Sequence, residues 1–442
     1  MPGLVKILAA FVAIVWMVRK KVQLGTAMLL GSIVLILLTW LGHAVLSSPV
    51  TIPLRDLPFI LLNAVWDSSS RDPASILKLI GVIVLVLILS HCLDKTGQMN
   101  RILESFQALV GDVRIVLITL PALIGLLPMP GGAVFSAPMV EAAQKGINIP
   151  PNQKTLINYW FRHIWEYSWP LYPGLLLAAE LGRESGWNLS VFKLAAIQSP
   201  LTAAALIGGI LFFIRNIPRT SPHRNQDPLN ARLSTLAVDI SPIGVIIILV
   251  ILLTTAFALE SKSSLLLSLV AAILLTLALS TLKKQMPPVA VLKSISVARI
   301  LALVYVIAAL MVFRETIEQS RSVNEISVMM KTYNVPLFPF VVLLSFISGL
   351  VMGLTMAYIG IVFPILMPLL LQVHADPLPY LVLAFGSGFI GVLFSPVHVC
   401  LILTHEYFTS DFTPVYRKMI VPALIIFATL IALFFVLSLT PR

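Results

Sequence analysis

Long apolar segments separated by short polar ones run along the whole chain. A membrane-spanning helix needs about 20 mostly apolar residues, and the hydrophobic pattern contains eight uninterrupted candidates. They are Leu4–Val18, Leu24–Leu41, Ile76–Leu93, Ser190–Phe213, Ile240–Leu259, Leu265–Leu282, Arg299–Phe313 and Met419–Leu439. The pattern therefore predicts an all-α integral membrane protein.

Four further apolar segments are interrupted by proline or glycine. Arg114–Ala143 and Leu337–Leu371 are each long enough for two helical arms with a turn between them. Thr155–Leu181 and Tyr380–Tyr407 contain internal prolines, which remove a backbone donor and break or kink a helix. We predict two hairpins and two broken helices. The hairpins either re-enter from one side of the membrane or cross it fully.

The same features recur in the same order about 224 positions apart, which indicates an internal duplication. Each half contains an odd number of crossings, so the second copy is expected to be inverted relative to the first. We predict about ten transmembrane helices in two inverted-topology repeats, each with a re-entrant hairpin and a broken helix. The repeats are residues 1–215 and 240–442, joined by a cytoplasmic linker at 216–239.

Composition and charge agree with this reading. Hydrophobic residues make up 58% of the chain and charged residues only 11%, against about a quarter charged in an ordinary globular protein. The net charge of +11 comes from short segments between the apolar ones. With the N-terminus outside, most basic residues fall on the inner side, as the positive-inside rule requires. We therefore expect a multi-pass protein of the cell membrane, with the lipid bilayer and not nucleic acid as its partner.

The two hairpin tips are the first candidates for a binding site. Non-helical backbone at membrane depth is tolerated where it is buried in protein or lines a cavity. The candidate substrate-binding residues at the tips are Pro130, Gly131, Gly132, Ser136, Gly353, Thr355 and Tyr358. The alternative is that the glycines only let helices pack closely.

The breaks in the two broken helices are the second candidates. Ser168, Ser395 and His398 lie at the breaks, where exposed backbone groups can coordinate ions or carboxylates. The serine hydroxyls could instead bond back to their own helix. Both readings stay open from the sequence.

Ionisable residues inside an apolar segment are the third candidates. Arg162, His163 and Glu166 lie in one broken helix, and charge inside a membrane is costly and usually functional or paired. Arg162 and Glu166 could simply pair across one helical turn. If Arg162 faces a cavity, its guanidinium suits a substrate carboxylate or phosphate, and His163 and Glu166 are the expected ion-coupling residues.

Motifs for enzyme chemistry are absent from the sequence. We find no HExxH zinc pair, Walker A loop or GxSxG elbow, and expect neither an enzyme nor a cofactor. Cys92 and Cys400 lie far apart in apolar runs and read as small buried hydrophobes, with no metal role. The histidines near the predicted span ends read as interfacial; they are His43, His91, His374 and His405.

The architecture resembles that of the ion transporter superfamily, which includes gluconate permease and citrate carriers. The segment from Leu127 to Met139 is similar to the first hairpin of an uncharacterised ten-span branch of that superfamily. The resemblance implies a solute held between hairpin tips and helix breaks, an elevator-like movement of that unit, and a homodimer. The Ser-Asn-Thr hairpin signature of sodium-coupled dicarboxylate carriers is missing from both tips.

These features together favour a secondary active transporter. We expect a small anionic solute of the carboxylate type, alternating access of the elevator kind, and coupling to H⁺ or Na⁺. The alternatives are a passive channel or facilitator with the same fold, or a membrane protein that does not transport. The partners would be a small-molecule anion and a coupling ion.

Overall fold

The structure is a computed structural model that describes residues 3–46, 74–110, 112–126, 132–144, 147–185, 187, 189–219 and 229–440. The described part is all-helical, as predicted. Its helices are α1 (Gly3–Arg19), α2 (Leu24–Leu46), α3 (Ser75–Lys95), α4 (Gln98–Leu109), α5 (Val113–Gly125), α6 (Ala133–Ala143), α7 (Pro151–His163), α8 (Pro173–Glu184), α9 (Val191–Gly209), α10 (Leu229–Thr255), α11 (Ser261–Leu282), α12 (Pro288–Lys293), α13 (Val297–Gln319), α14 (Ser322–Thr332), α15 (Leu337–Met352), α16 (Thr355–Gln372), α17 (Pro377–Leu393), α18 (Val399–Phe408) and α19 (Phe412–Leu439). A 3-10 turn, Ile164–Tyr167, follows α7, and a π turn, Ile210–Ile214, extends α9.

Eight helical segments within the described residues are long and apolar enough to cross a membrane. Seven of them match uninterrupted candidates from the hydrophobic pattern. The eighth is α16, which was expected only as one arm of a hairpin, whereas α1 has 17 residues and falls just short. The chain is a multi-pass membrane protein.

Both broken helices form where proline was expected to interrupt them. The first runs through α7 and the 3-10 turn, stops at Ser168–Tyr172, and restarts with Pro173 at the first position of α8. The second stops after α17 and restarts at α18, with Pro396 in the gap. Proline is favoured in the first turn of a helix because it has no backbone N–H, and an N–H at that position would have no partner within the helix.

The two hairpins also form, with their arms packed on each other. The arms of the first, α5 and α6, contain 13 and 11 residues, fewer than the roughly 20 that a crossing needs. The second turns at Gly353, whose φ of +63° is the left-handed conformation that glycine adopts without strain. The first tip, residues 127–131, lies outside the described residues, and with it the predicted site residues Pro130 and Gly131.

The two halves contact one another reciprocally. Helix α1 packs on α14, while its counterpart α10 packs on α4, the counterpart of α14. In the same way α2 packs on α13 and α11 on α3, α16 packs on α8 and α6 on α18. Reciprocal contacts of this kind are what a two-fold relation produces. They agree with a duplicated chain in which corresponding helices of each half pack against the other half.

The segment read as a linker is shorter than the sequence indicated. Helix α10 begins at Leu229, inside the predicted linker 216–239. The linker's last residue, Asp239, is buried and bonds Arg101 and Lys283. An aspartate flanked by two basic partners can be buried within a helix, which the polar composition of the segment did not reveal.

Candidate functional site

The two broken helices meet at the centre of the molecule. Helix α7 ends at His163, and the second break ends at His398, immediately before α18. The Nε2 atoms of these two histidines are 3.0 Å apart. Tyr159 fixes the junction, because its hydroxyl donates to the carbonyl oxygen of Leu393 at the end of α17, at 3.0 Å.

Arg162 lies between the first break and the first hairpin, and only 2% of it is exposed. Its guanidinium hydrogen-bonds the Tyr172 hydroxyl, which in turn donates to the carbonyl of Gly125 at the end of α5. Gly132, at the start of α6, lies against the guanidinium: a Cβ there would come within 2.6 Å of Arg162 Nη2. The predicted arginine and the predicted hairpin glycine are therefore in contact.

Glu166 reaches the second hairpin. Its Oε2 accepts a hydrogen bond of 2.8 Å from the Thr355 hydroxyl, and its Oε1 lies 3.8 Å from His163 Nε2. Thr355 is the first residue of α16, and it also packs against Gly174 at the start of α8. The structure thus brings residues predicted in separate segments of both halves to one place.

Several helix N-termini converge on this place. The starts of α6 and α8 lie beside Arg162, the start of α16 lies beside Glu166, and the start of α18 lies beside His163. Each N-terminus carries a partial positive charge from the peptide dipoles and unpaired amides. Helix ends meet there too, with the carbonyl oxygens of Gly125, Gly353 and Leu393 bonded at the junction, so the full charge of Arg162 is what favours an anion beside it.

Other predicted site residues lie nearby but bond to backbone or to neighbouring helices. The Ser136 hydroxyl donates to Ala133 O at 3.3 Å, one turn back in its own helix. Ser168 bonds Thr202 of α9 at 2.7 Å. Tyr358 is buried and donates to Phe385 O of α17 at 2.8 Å. Ser395 Oγ faces Gly353, where a Cβ would come within 2.8 Å of it.

The sequence reading missed two residues at the junction. Asn158, one turn before Arg162, is fully buried and donates to Ala133 O and Thr404 Oγ1, at 3.0 and 3.2 Å. Cys400 was read as inert, yet its sulfur lies within 4.8 Å of ring nitrogens of both His163 and His398. Spacing of one helical turn from Arg162 could have indicated Asn158. Cys400 had no such signal.

Comparison with known proteins places the chain in a family. A family model matches residues 4–438. The chain belongs to DUF401. The family's description is "Protein of unknown function (DUF401)". None of the curated proteins compared with this DUF401 chain matches it in sequence.

A solved structure shares the fold of this DUF401 protein. It is the YdaH transporter from Alcanivorax borkumensis, whose crystal structure is described as having an unusual topology. The TM-score is 0.64 at 13% sequence identity, over 94% of this chain and 100% of that one. At this identity the likeness concerns the fold.

Proposed function

We propose that this DUF401 protein is a secondary active transporter of a small anionic solute of the carboxylate type, driven by a gradient of H⁺ or Na⁺ across the cell membrane. The observation that carries the proposal is the position of Arg162. Its charge is buried where the first hairpin, the first break and the start of α8 meet. A guanidinium matches the two oxygens of a carboxylate.

The charges around Arg162 support an anion over a cation. Arg162 and the convergent helix N-termini are positive, and Glu166 is the carboxylate that faces them. We propose that the solute binds beside the guanidinium of Arg162 once the first hairpin moves away from it, with Glu166 and His163 in the ion-coupling role that the sequence predicts. The likeness to a transporter fold supports this reading.

Burial of the junction favours a carrier over an open channel. Arg162, His163, Glu166 and His398 are all less than a tenth exposed, so a solute can reach them only after neighbouring helices move. The hairpins and broken helices pack mainly on each other, and the remaining helices pack across the two halves. We propose that the first group moves as a unit against the second, in the elevator manner.

Uptake into proteoliposomes tests the proposal. Purified protein would be reconstituted and offered radiolabelled acetate, succinate, citrate, gluconate and benzoate under imposed proton and sodium gradients. We expect accumulation of at least one anion above its equilibrium level, abolished when the gradient is collapsed. Uptake that only equilibrates would indicate a facilitator, and no flux of any anion would contradict transport.

A further inference from the structure

The two histidines at the junction are both held by backbone carbonyls. His163 Nδ1 lies 2.6 Å from Tyr159 O, and His398 Nδ1 lies 2.8 Å from Gly353 O. A carbonyl oxygen only accepts, so each Nδ1 must carry the ring proton. In the neutral rings each Nε2 is then a bare lone pair, by assignment from these bonds.

The bare nitrogens face each other. The two Nε2 atoms are 3.0 Å apart, and two lone pairs at that distance repel unless a cation lies between them. A proton shared between the two rings would need no ligand besides these two nitrogens. Here a third donor, the Cys400 sulfur, lies within 4.8 Å of both, and Glu166 Oε1 is 3.8 Å from His163 Nε2. The two imidazole nitrogens and the sulfur are three convergent donors of the kind that zinc sites use, and zinc takes a water as its fourth ligand where the protein supplies three.

We propose that His163 Nε2, His398 Nε2 and Cys400 Sγ bind a zinc ion, whose fourth position is taken by water. Two imidazoles and a thiolate match the ligand types of Zn²⁺. Tetrahedral ligands at zinc bond lengths lie about 3.3–3.6 Å apart. The imidazoles therefore need to separate by only a few tenths of an ångström while the sulfur moves closer.

The surroundings match those of histidine ligands in metal sites. Such histidines usually donate their second ring N–H to a carbonyl or carboxylate, which fixes the tautomer, and both rings do so here. The Cys400 thiolate and the nearby Glu166 carboxylate place negative charge around the proposed ion. Binding forms a Zn–S bond and releases the thiol proton to water.

The ligands come from both halves of the chain. His163 ends α7, whereas His398 and Cys400 begin α18. A bound zinc would therefore join the two helix breaks directly. A zinc ion bound to His163 would leave the proposed coupling role to Glu166. Zinc binding is measured without a transport assay, so failure of this inference and failure of the proposed function are distinguishable.

Zinc titration of the full-length, tag-free protein in detergent tests the inference. After chelator treatment, calorimetry should show one Zn²⁺ per chain. Because loss of an outer partner alone lowers metal affinity about 10–100-fold, His398→Ala and Cys400→Ser should each weaken binding by at least about 100-fold. Cys92→Ser is the matched control, since Cys92 is the other buried cysteine and lies in α3. Its affinity should equal that of the wild type.

Cobalt substitution provides a second readout that a folding defect would not imitate. Co²⁺ bound to the wild type should show a thiolate-to-cobalt charge-transfer band in the near ultraviolet, absent in Cys400→Ser and retained in Cys92→Ser. The inference is overturned if the wild type binds no stoichiometric Zn²⁺. It is equally overturned if Cys400→Ser and His398→Ala bind as tightly as the wild type, or if Cys92→Ser loses affinity to the same extent.

Discussion

The two helix breaks have the same shape and different chemistry. Each interrupts a helix at proline-containing backbone and each faces the hairpin of the other half. The first break carries Arg162, His163 and Glu166, whereas the second carries Ser395, His398 and Cys400. Duplication explains the shared backbone. The difference indicates that the first break supplies the arginine and the carboxylate, and the second supplies a hydroxyl, an imidazole and a thiol.

The two hairpins also differ in what they contact. The first places Gly132 against the guanidinium of Arg162, and the second places the Thr355 hydroxyl on Glu166. Both hairpins therefore contact charged side chains of the first break. Substitutions that remove charge from the first break should consequently have larger effects than substitutions in the second.

The largest expected effect is that of Arg162→Ala. Removing a buried charge that contacts the solute should lower gradient-driven uptake by at least about 100-fold, which corresponds to about 2.7 kcal/mol. Arg162→Lys keeps the charge and loses the planar fork, so it should retain a small part of the activity. Uptake in proteoliposomes, normalised to reconstituted protein, measures both. Unchanged uptake in Arg162→Ala would mean that the arginine is only structural.

Glu166→Gln should have the second largest effect on uptake. The amide can still accept from Thr355 but cannot carry the negative charge that a coupling cation needs. We expect gradient-driven accumulation to fall by about 10-fold or more, while exchange of solute across the membrane without a gradient continues. Parallel accumulation and counterflow assays measure the two. Equal loss in both assays would assign Glu166 to solute binding or stability instead.

Pro396→Ala should have an intermediate effect. An alanine lets the helix continue across the second break, which straightens it and moves His398 relative to His163. Uptake should fall by about threefold to tenfold. This is a part of the roughly 100-fold loss that misplacing a site residue by about 1 Å can cause. Wild-type kinetics in the variant would show that the proline is incidental to the break.

The smallest effects are expected where hydroxyls bond to neighbouring helices. Tyr358→Phe removes the bond to Phe385 O, and Ser168→Ala removes the bond to Thr202. Each should lower stability by about 1 kcal/mol and leave uptake within about twofold of the wild type. Thermal unfolding and uptake, measured on the same preparation, separate the two effects. A large loss of uptake at unchanged stability would indicate that the substituted residue binds the solute, as the sequence predicts.

The apolar pattern was sufficient to predict most of the fold. It located seven of the spans, both hairpins and both breaks, because lipid requires long apolar helices and proline interrupts them. It did not show that α10 begins at Leu229, or that Asp239 is buried in that helix against Arg101 and Lys283. Local sequence contains no record of such distant partners.

The sequence pointed to the charged residues of the junction more readily than to the neutral ones. Arg162, His163 and Glu166 were conspicuous because ionisable groups are rare in apolar segments. Cys400 and Asn158 were not, since a cysteine in an apolar run is usually a plain core residue. Their importance depends on contacts between residues more than two hundred positions apart, such as Asn158 with Thr404. Only the folded chain shows these.

Anion binding by the purified protein tests the central claim, that Arg162 and the surrounding helix starts form an anion site. Thermal unfolding would be followed with acetate, succinate, citrate, gluconate, benzoate and phosphate, for the wild type and Arg162→Ala. A ligand at a hundredfold excess over its Kd stabilises the folded state by about 2.7 kcal/mol. The account predicts that at least one anion stabilises the wild type and leaves Arg162→Ala unchanged. Stabilisation of both proteins to the same extent, or of neither, would contradict it.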